Sequence, residues 1–276
     1  MKSPFALAKP PPTRYDQFKG EGKIRMAPPD ASTENPRMST VEIADVAARK
    51  TRPLVAGLRL SQAEFHDRYQ SMPPGTRAEL IGGTVQMPSP VGPDHAKASA
   101  DLVTWLNLYR RKTRGTEALD NASTLLDELG ELQPDALLRI LPEYGGRTRT
   151  DRRYVIGPPE LVVEVARSTR FVDLGPKRLD YERSGVLEYL VRALEPDEIL
   201  WHVRQDDALS VVEPDADGIH RSRVFPGLWL DPSALLTGNL DGLISCLELG
   251  LDTPEHREFV ERLTQQRDDD ESKART

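Results

Sequence analysis

The sequence predicts an α/β domain in which a mixed sheet is flanked by helices and extended by additional antiparallel edge strands. Three observations predict it. Residues 161–165, Leu-Val-Val-Glu-Val, form a short apolar run of strand length, as expected of a central strand covered on both faces. A helical stretch over 173–184, closed by Gly185, and a second apolar run at 187–191 follow it. A strand, helix, strand unit of this size implies a parallel crossover, right-handed by the usual chain twist. Upstream, Ala98, Leu102, Trp105, Leu106 and Tyr109 recur at three- and four-residue steps, which makes 94–114 a long helix with one core face and one basic face.

The remaining elements follow in chain order. Residues 1–36 carry seven prolines, Pro10, Pro11 and Pro12 in succession, and almost no apolar periodicity, so a disordered arm is expected there. A short, weakly docked helix is expected over 39–50. Folded sequence begins near Leu60: Ser61 and Glu64 have capping-box spacing, and a helix over 62–70 runs until Met72-Pro73-Pro74-Gly75 stops it. Two apolar runs within 77–87 flank Gly82-Gly83, a dipeptide suited to a tight hairpin turn. Beyond Gly115 the period changes, and 117–126 and 136–141 are runs of strand length. Residues 199–203, 209–213 and 219–224 read as antiparallel edge strands separated by Asp-rich turns, and 254–276 as a charged helix entering a solvated tail. The expected organisation is an arm over 1–58, a folded domain over 59–240 and a charged helical tail over 241–276.

Composition removes several function classes. The single cysteine, Cys246, excludes a disulfide framework and a zinc site of paired thiolates, and makes the reducing cytoplasm the expected compartment. No stretch approaches the roughly 18 apolar residues of a membrane span, so no membrane partner is expected. The chain has 37 Lys and Arg against 44 Asp and Glu, a net charge of -7. A nucleic-acid partner would therefore be held by local basic patches and metal ions. Arg110, Arg111, Lys112 and Arg114 form one such patch, and Arg147, Arg149, Arg152 and Arg153 another; solvated helix ends and loops are the ordinary alternative. No Gly-rich phosphate loop, Gly-x-Ser-x-Gly elbow or His-Glu-x-x-His helix is present.

Four residues stand out as candidates. Glu164 lies in the middle of the buried run, where an ionised carboxylate is costly unless a metal or a cation offsets its desolvation. The ordinary alternative is a strand-end acid paired with an arginine. Asp135 follows Pro134 at the start of a strand; alone it reads as a turn residue, but with Glu164 on an adjacent strand it offers the oxygen ligands that suit Mg²⁺ better than zinc. Leu174, Lys177 and Tyr181 share one helical stripe, which directs Lys177 toward the sheet unless its ammonium escapes to water. An inward ammonium there would orient an attacking water or stabilise charge developing on a phosphate. Glu79 opens the hairpin strand, placed to bind a second metal or to hold a water. His95 is a candidate for a supporting role.

These motifs resemble the Uma2-like restriction endonucleases, a branch of the PD-(D/E)XK nuclease superfamily. The likeness is carried by Glu79-Leu80-Ile81-Gly82-Gly83, by Met87-Pro88-Ser89-Pro90 with His95, and by Pro134-Asp135. The longest match is Pro159-Glu160-Leu161-Val162-Val163-Glu164-Val165, Ser168-Thr169, Asp173-Leu174, Lys177, Tyr181 and Gly185-Val186-Leu187-Glu188-Tyr189; Pro226-Gly227-Leu228-Trp229-Leu230 resembles the closing segment. The resemblance spans roughly residues 60–239 and implies a restriction-endonuclease-like fold. It also implies an active-site set of Glu79, Asp135, Glu164 and Lys177, with Asp135, Glu164 and Glu79 as metal ligands. The wider superfamily places its lysine two residues after the acid. That position is Ala166 here, and the resemblance implies that Lys177 supplies the charge from the helix.

The expectation is then a Mg²⁺-dependent, or Mn²⁺-dependent, endonuclease acting on DNA, with a homodimer compatible with the sequence. The rival is a catalytically inactive nuclease-fold module that binds or interacts. A third reading is a structural α/β protein whose acids form ion pairs.

Overall fold

The computed structural model describes residues 52–128 and 130–274. The arm and short helix expected before residue 51 lie outside the described residues. From Pro53 onward the chain forms one compact unit built on two six-stranded sheets. The first contains β1 (Glu79–Ile81), β2 (Thr84–Gln86), β4 (Thr124–Asp127), β5 (Gly130–Leu132), β7 (Arg149–Asp151) and β8 (Tyr154–Ile156), in the order β2-β1-β5-β4-β8-β7. The second contains β3 (Thr116–Asp120), β6 (Ala136–Ile140), β9 (Leu161–Ala166), β10 (Glu188–Leu194), β11 (Asp197–Gln205) and β12 (Ala208–Val212), in the order β12-β11-β10-β9-β6-β3. Both are mixed: β4 pairs with β8, and β9 with β10, in parallel, and the remaining pairs are antiparallel.

Helices α1 (Gln62–Tyr69) and α2 (Pro93–Lys112) form where the apolar spacing places them. Ser61 accepts from the Glu64 amide and caps α1. In the hairpin between β1 and β2, Gly82 and Gly83 both adopt positive φ, 55° and 75°, a conformation that costs a side-chain-bearing residue about 1–2 kcal/mol. Leu102, Trp105, Leu106 and Tyr109 of α2 are fully buried, each such side chain contributing about 1.5–3 kcal/mol. They pack on Leu161, Val163 and Val165, one face of β9. Val162 and Ala166, on the opposite face, pack with Tyr181, Tyr189 and Val186 and with Ile81 and Leu132 of the first sheet. Every residue of β9 is thus buried, as a central strand requires.

After β9 the chain makes a helical turn (Arg170–Val172), a π-helical turn (Asp173–Lys177) and α3 (Arg178–Ser184), which ends at Gly185 with φ 97°. Past β12, β13 (His220–Arg221) and β14 (Trp229–Leu230) form a separate ribbon. The helices α4 (Pro232–Thr237), α5 (Leu240–Leu251) and α6 (Pro254–Ala274) follow. The closing segment is latched to α2: the Trp105 indole donates to the Trp229 carbonyl at 2.9 Å and the Tyr109 hydroxyl to that of Pro226 at 2.9 Å.

The structure departs from the sequence reading in three places. The run at 117–126 is two strands in different sheets, broken at Asn121 with φ 51°. The expected strand at 219–224 contracts to His220–Arg221 because its partner is only two residues long. The C-terminal helices are part of the core: Leu243 and Leu247 of α5 and Phe259 and Leu263 of α6 are buried against it. Among the described residues no helix is long and apolar enough to cross a membrane.

Candidate active site

The two sheets are joined by Gln133, Pro134 and Asp135, which carry the chain from β5 to β6. Pairing of Ala136 with Val163 in antiparallel register sets Asp135 opposite Glu164. Residues directly opposite in such a ladder project from the same face. The Asp135 Oδ2 accepts from the Val165 amide at 2.7 Å, which ties the carboxylate to the edge of β9. His95, in the first turn of α2, brings Nε2 to 3.4 Å from the same oxygen. Its Nδ1 is buried without a partner.

Glu164 is 3 % exposed, and its Oε1 accepts from the Tyr181 hydroxyl at 2.8 Å and from the Lys177 ammonium at 3.0 Å. Lys177 points inward, as its helical stripe requires, and does not reach solvent: it is 6 % exposed. Its Nζ also lies 3.2 Å from Glu79 Oε1 and 3.7 Å from Asp173 Oδ1. The Glu79 Oε1 accepts in addition from the Gln133 amide at 2.8 Å, so the first sheet, the linker and the helix meet at one carboxylate. All four expected residues therefore converge, from four separate segments of the chain.

Sequence reasoning missed Asp173 as a member of the site. Its place follows from the π-helical turn, in which Gly175 has φ −104° and ψ −105° and Pro176 interrupts the ladder. Extra-residue turns of this kind often occur at functional sites. The turn aims Asp173 and Lys177, four residues apart, into the same buried space. Asp173 Oδ2 has no hydrogen-bond partner, and the Tyr189 hydroxyl holds the Asp173 carbonyl at 3.0 Å. The four-residue spacing from Asp173 to Lys177, within the stretch read as helical, was the available signal.

The electrostatics are those of an anionic surplus. Burial pushes the Glu164 carboxyl well above its ordinary range; Lys177 pulls it back, while Asp135, Asp173 and Glu79 add to the rise. Burial likewise raises Asp173, against the pull of Lys177. Burial alone would lower the Lys177 ammonium, but Glu164, Glu79 and Asp173 outweigh it and hold the group well above its usual value. The hydrogen bond to Asp135 raises His95, burial opposing it. Three carboxylates thus surround one ammonium, and a fourth, Asp135, adds to the negative charge at Glu164, an arrangement that a bound cation would relieve.

Neither basic patch is uniformly free. Arg147 is tied to Glu160 and to the Gly185 carbonyl, Arg110 to Asn107 and Arg114 to Tyr144, whereas Arg152 and Arg153 are exposed. Two surface depressions, of about 600 and 580 Å³, are lined by residues other than these acids and Lys177.

The model of the Uma2 family, described as "Putative restriction endonuclease", matches residues 63–233, which include all the residues of the site. The chain belongs to the Uma2 family. Among solved structures, a nuclease described as putative and as belonging to DUF820, from Anabaena variabilis ATCC 29413, is similar at 17% sequence identity and a TM-score of 0.46, covering 66% of this chain and 97% of that one. No curated protein matches this Uma2 chain.

Proposed function

We propose that this Uma2 chain is a divalent-cation-dependent endonuclease that hydrolyses DNA phosphodiester bonds. The observation that carries the reading is the meeting of Asp135, Glu164, Glu79 and Lys177 at the junction of the two sheets. Its donor set favours a hard cation: the available ligands are carboxylate oxygens, their charge exceeds that of the one ammonium, and a buried oxygen of Asp173 is unpartnered. Among the described residues no group of three or more His, Cys, Asp or Glu side chains is placed to hold a metal ion, so the ligand set on offer is the two carboxylates of Asp135 and Glu164. That pattern suits Mg²⁺ or Mn²⁺, since Mg²⁺ in particular is held by one or two carboxylates and keeps its other positions for water and substrate phosphate.

Asp135 and Glu164 are the residues that would hold the ion. Such an ion supplies Lewis-acid stabilisation of the phosphoryl oxygens and lowers the pKa of an attacking water. The protein supplies position and charge. Lys177, kept protonated by three carboxylates, is unsuited to act as a base and presents a fixed positive charge to the negative charge that develops on the phosphate. Glu79 and Asp173 anchor that ammonium, with Glu79 itself held by the Gln133 amide. Tyr181 orients the Glu164 carboxylate by donating to Oε1, and His95 steadies Asp135.

The test is cleavage of plasmid DNA with and without Mg²⁺ or Mn²⁺. Cleavage is expected only with the ion, and is expected to vanish in Glu164→Gln and Asp135→Asn while circular dichroism reports a folded chain. Cleavage retained in both variants would overturn the proposal, and retained DNA binding without cleavage would favour a non-catalytic binding module.

A further inference from the structure

The depression of about 580 Å³ lies between the segment following α1 and the β7–β8 hairpin, and its lining includes Tyr69, Met72, Thr76, Arg152, Arg153 and Tyr154. Its volume is that of a small-ligand site. Both tyrosine rings are held from the protein side: Tyr69 stacks on Phe65 with centroids 5.4 Å apart and donates its hydroxyl to the Thr76 carbonyl, and Tyr154 meets His66 edge-on at 4.7 Å. Arg152 and Arg153 are exposed and make no ion pair or hydrogen bond with any described residue. They are also the two residues that turn the hairpin, since Asp151 pairs with Tyr154.

Arg152 occupies the turn at a cost. Its φ is 52°, at the first central position, where glycine is the favoured residue. A side chain kept in a left-handed conformation points to a use for that side chain. The depression is also close to the chemistry. Thr76 is three residues from Glu79, so their Cα atoms are at most about 11 Å apart. Lys112 of the other basic patch is 17 residues along α2 from His95, or about 26 Å away.

We propose that this depression is a subsite for an unpaired nucleotide of the nucleic-acid substrate, its base stacked against Tyr69 and Tyr154 and its phosphate held by Arg152 and Arg153. Fixed aromatic faces beside free cations are the means by which single strands are held with little regard to sequence. The role as a substrate subsite rests on the nuclease reading; the binding itself does not.

The experiment is fluorescence anisotropy of a labelled single-stranded DNA oligonucleotide with the full chain, in EDTA so that nothing is cut. The double variant Arg152→Gly, Arg153→Ala is expected to bind about tenfold more weakly and to lower the salt slope of log K by about 1.4, the value for two phosphate contacts on a single strand. The Tm should hold or rise, because glycine suits the turn. A duplex of the same sequence should bind more weakly than the single strand. Unchanged affinity in the double variant, no binding by the native chain, or equal affinity for the duplex would overturn the proposal. If the native chain cuts DNA but the double variant binds as it does, the subsite fails and the nuclease stands; if the double variant loses binding but no ion elicits cleavage, the subsite stands and the nuclease fails.

Discussion

Glu164 is 3 % exposed within β9, and among the described residues its carboxyl accepts from Tyr181 and Lys177. Replacing it with glutamine removes one of four crowded carboxylates yet keeps an oxygen to accept from Tyr181. Glu164→Gln should therefore lose cleavage while its Tm equals or exceeds that of the native chain, which differential scanning calorimetry will check. Lys177→Met is the converse. It leaves Glu164, Glu79 and Asp173 without their cation and should cost about 3–5 kcal/mol in a denaturant titration at neutral pH. Deprived of the ammonium, the Glu164 and Asp173 carboxyls rise further above their unfolded values, so the loss should be smaller at pH 5 than at pH 8. Glu188 offers a pH effect away from the site. Burial pushes it up to about 7, although Ser222 and the Arg223 and Val224 amides all donate to it. A carboxyl raised in the folded state contributes stability that is full below its unfolded pKa, near 4.5, and lost as pH climbs through about 7. Melting temperatures of Glu188→Gln should lack that part of the decline between pH 5 and 7.

Among the elements, those with a long apolar signal were legible in the sequence: α2 from its stripe of Leu102, Trp105, Leu106 and Tyr109, β9 from its unbroken run, the hairpin from Gly82-Gly83. The site's four principal residues were legible because each lies at a boundary or centre of such an element. The first sheet was not anticipated as a separate layer. β5, β7 and β8 are three residues each, too short to show a period, and their pairing is decided by distant contacts. Asp173 was missed although it opens the stretch read as helical, because the π-helical turn that aims it inward leaves no period in the sequence. The last helix read as a solvated tail because its composition is charged overall, yet Phe259 and Leu263 reach the core. Phe259→Ala should accordingly cost about 3 kcal/mol or more, while removal of residues from 268 onward should cost under about 1 kcal/mol; urea unfolding of the two variants separates a packed half from an exposed half.

For the molecule as a whole, the proposed ion would couple folding to binding through the surplus of buried negative charge. A cation that binds only the folded site adds RT ln(1 + [L]/Kd), about 2.7 kcal/mol at a concentration of 100 Kd. Thermal melts in Mg²⁺ or Mn²⁺ should shift upward for the native chain and stay flat for Asp135→Asn. A native chain whose Tm ignores both ions would contradict the ligand assignment.

The Gln133-Pro134-Asp135 bridge also dictates when the molecule becomes competent. Glu79 belongs to one layer and Glu164 to the other, and Lys177 follows Glu79 by nearly a hundred residues, so these side chains meet only once both layers are made and docked. On the nuclease reading, a chain whose layers have not docked lacks the assembled site.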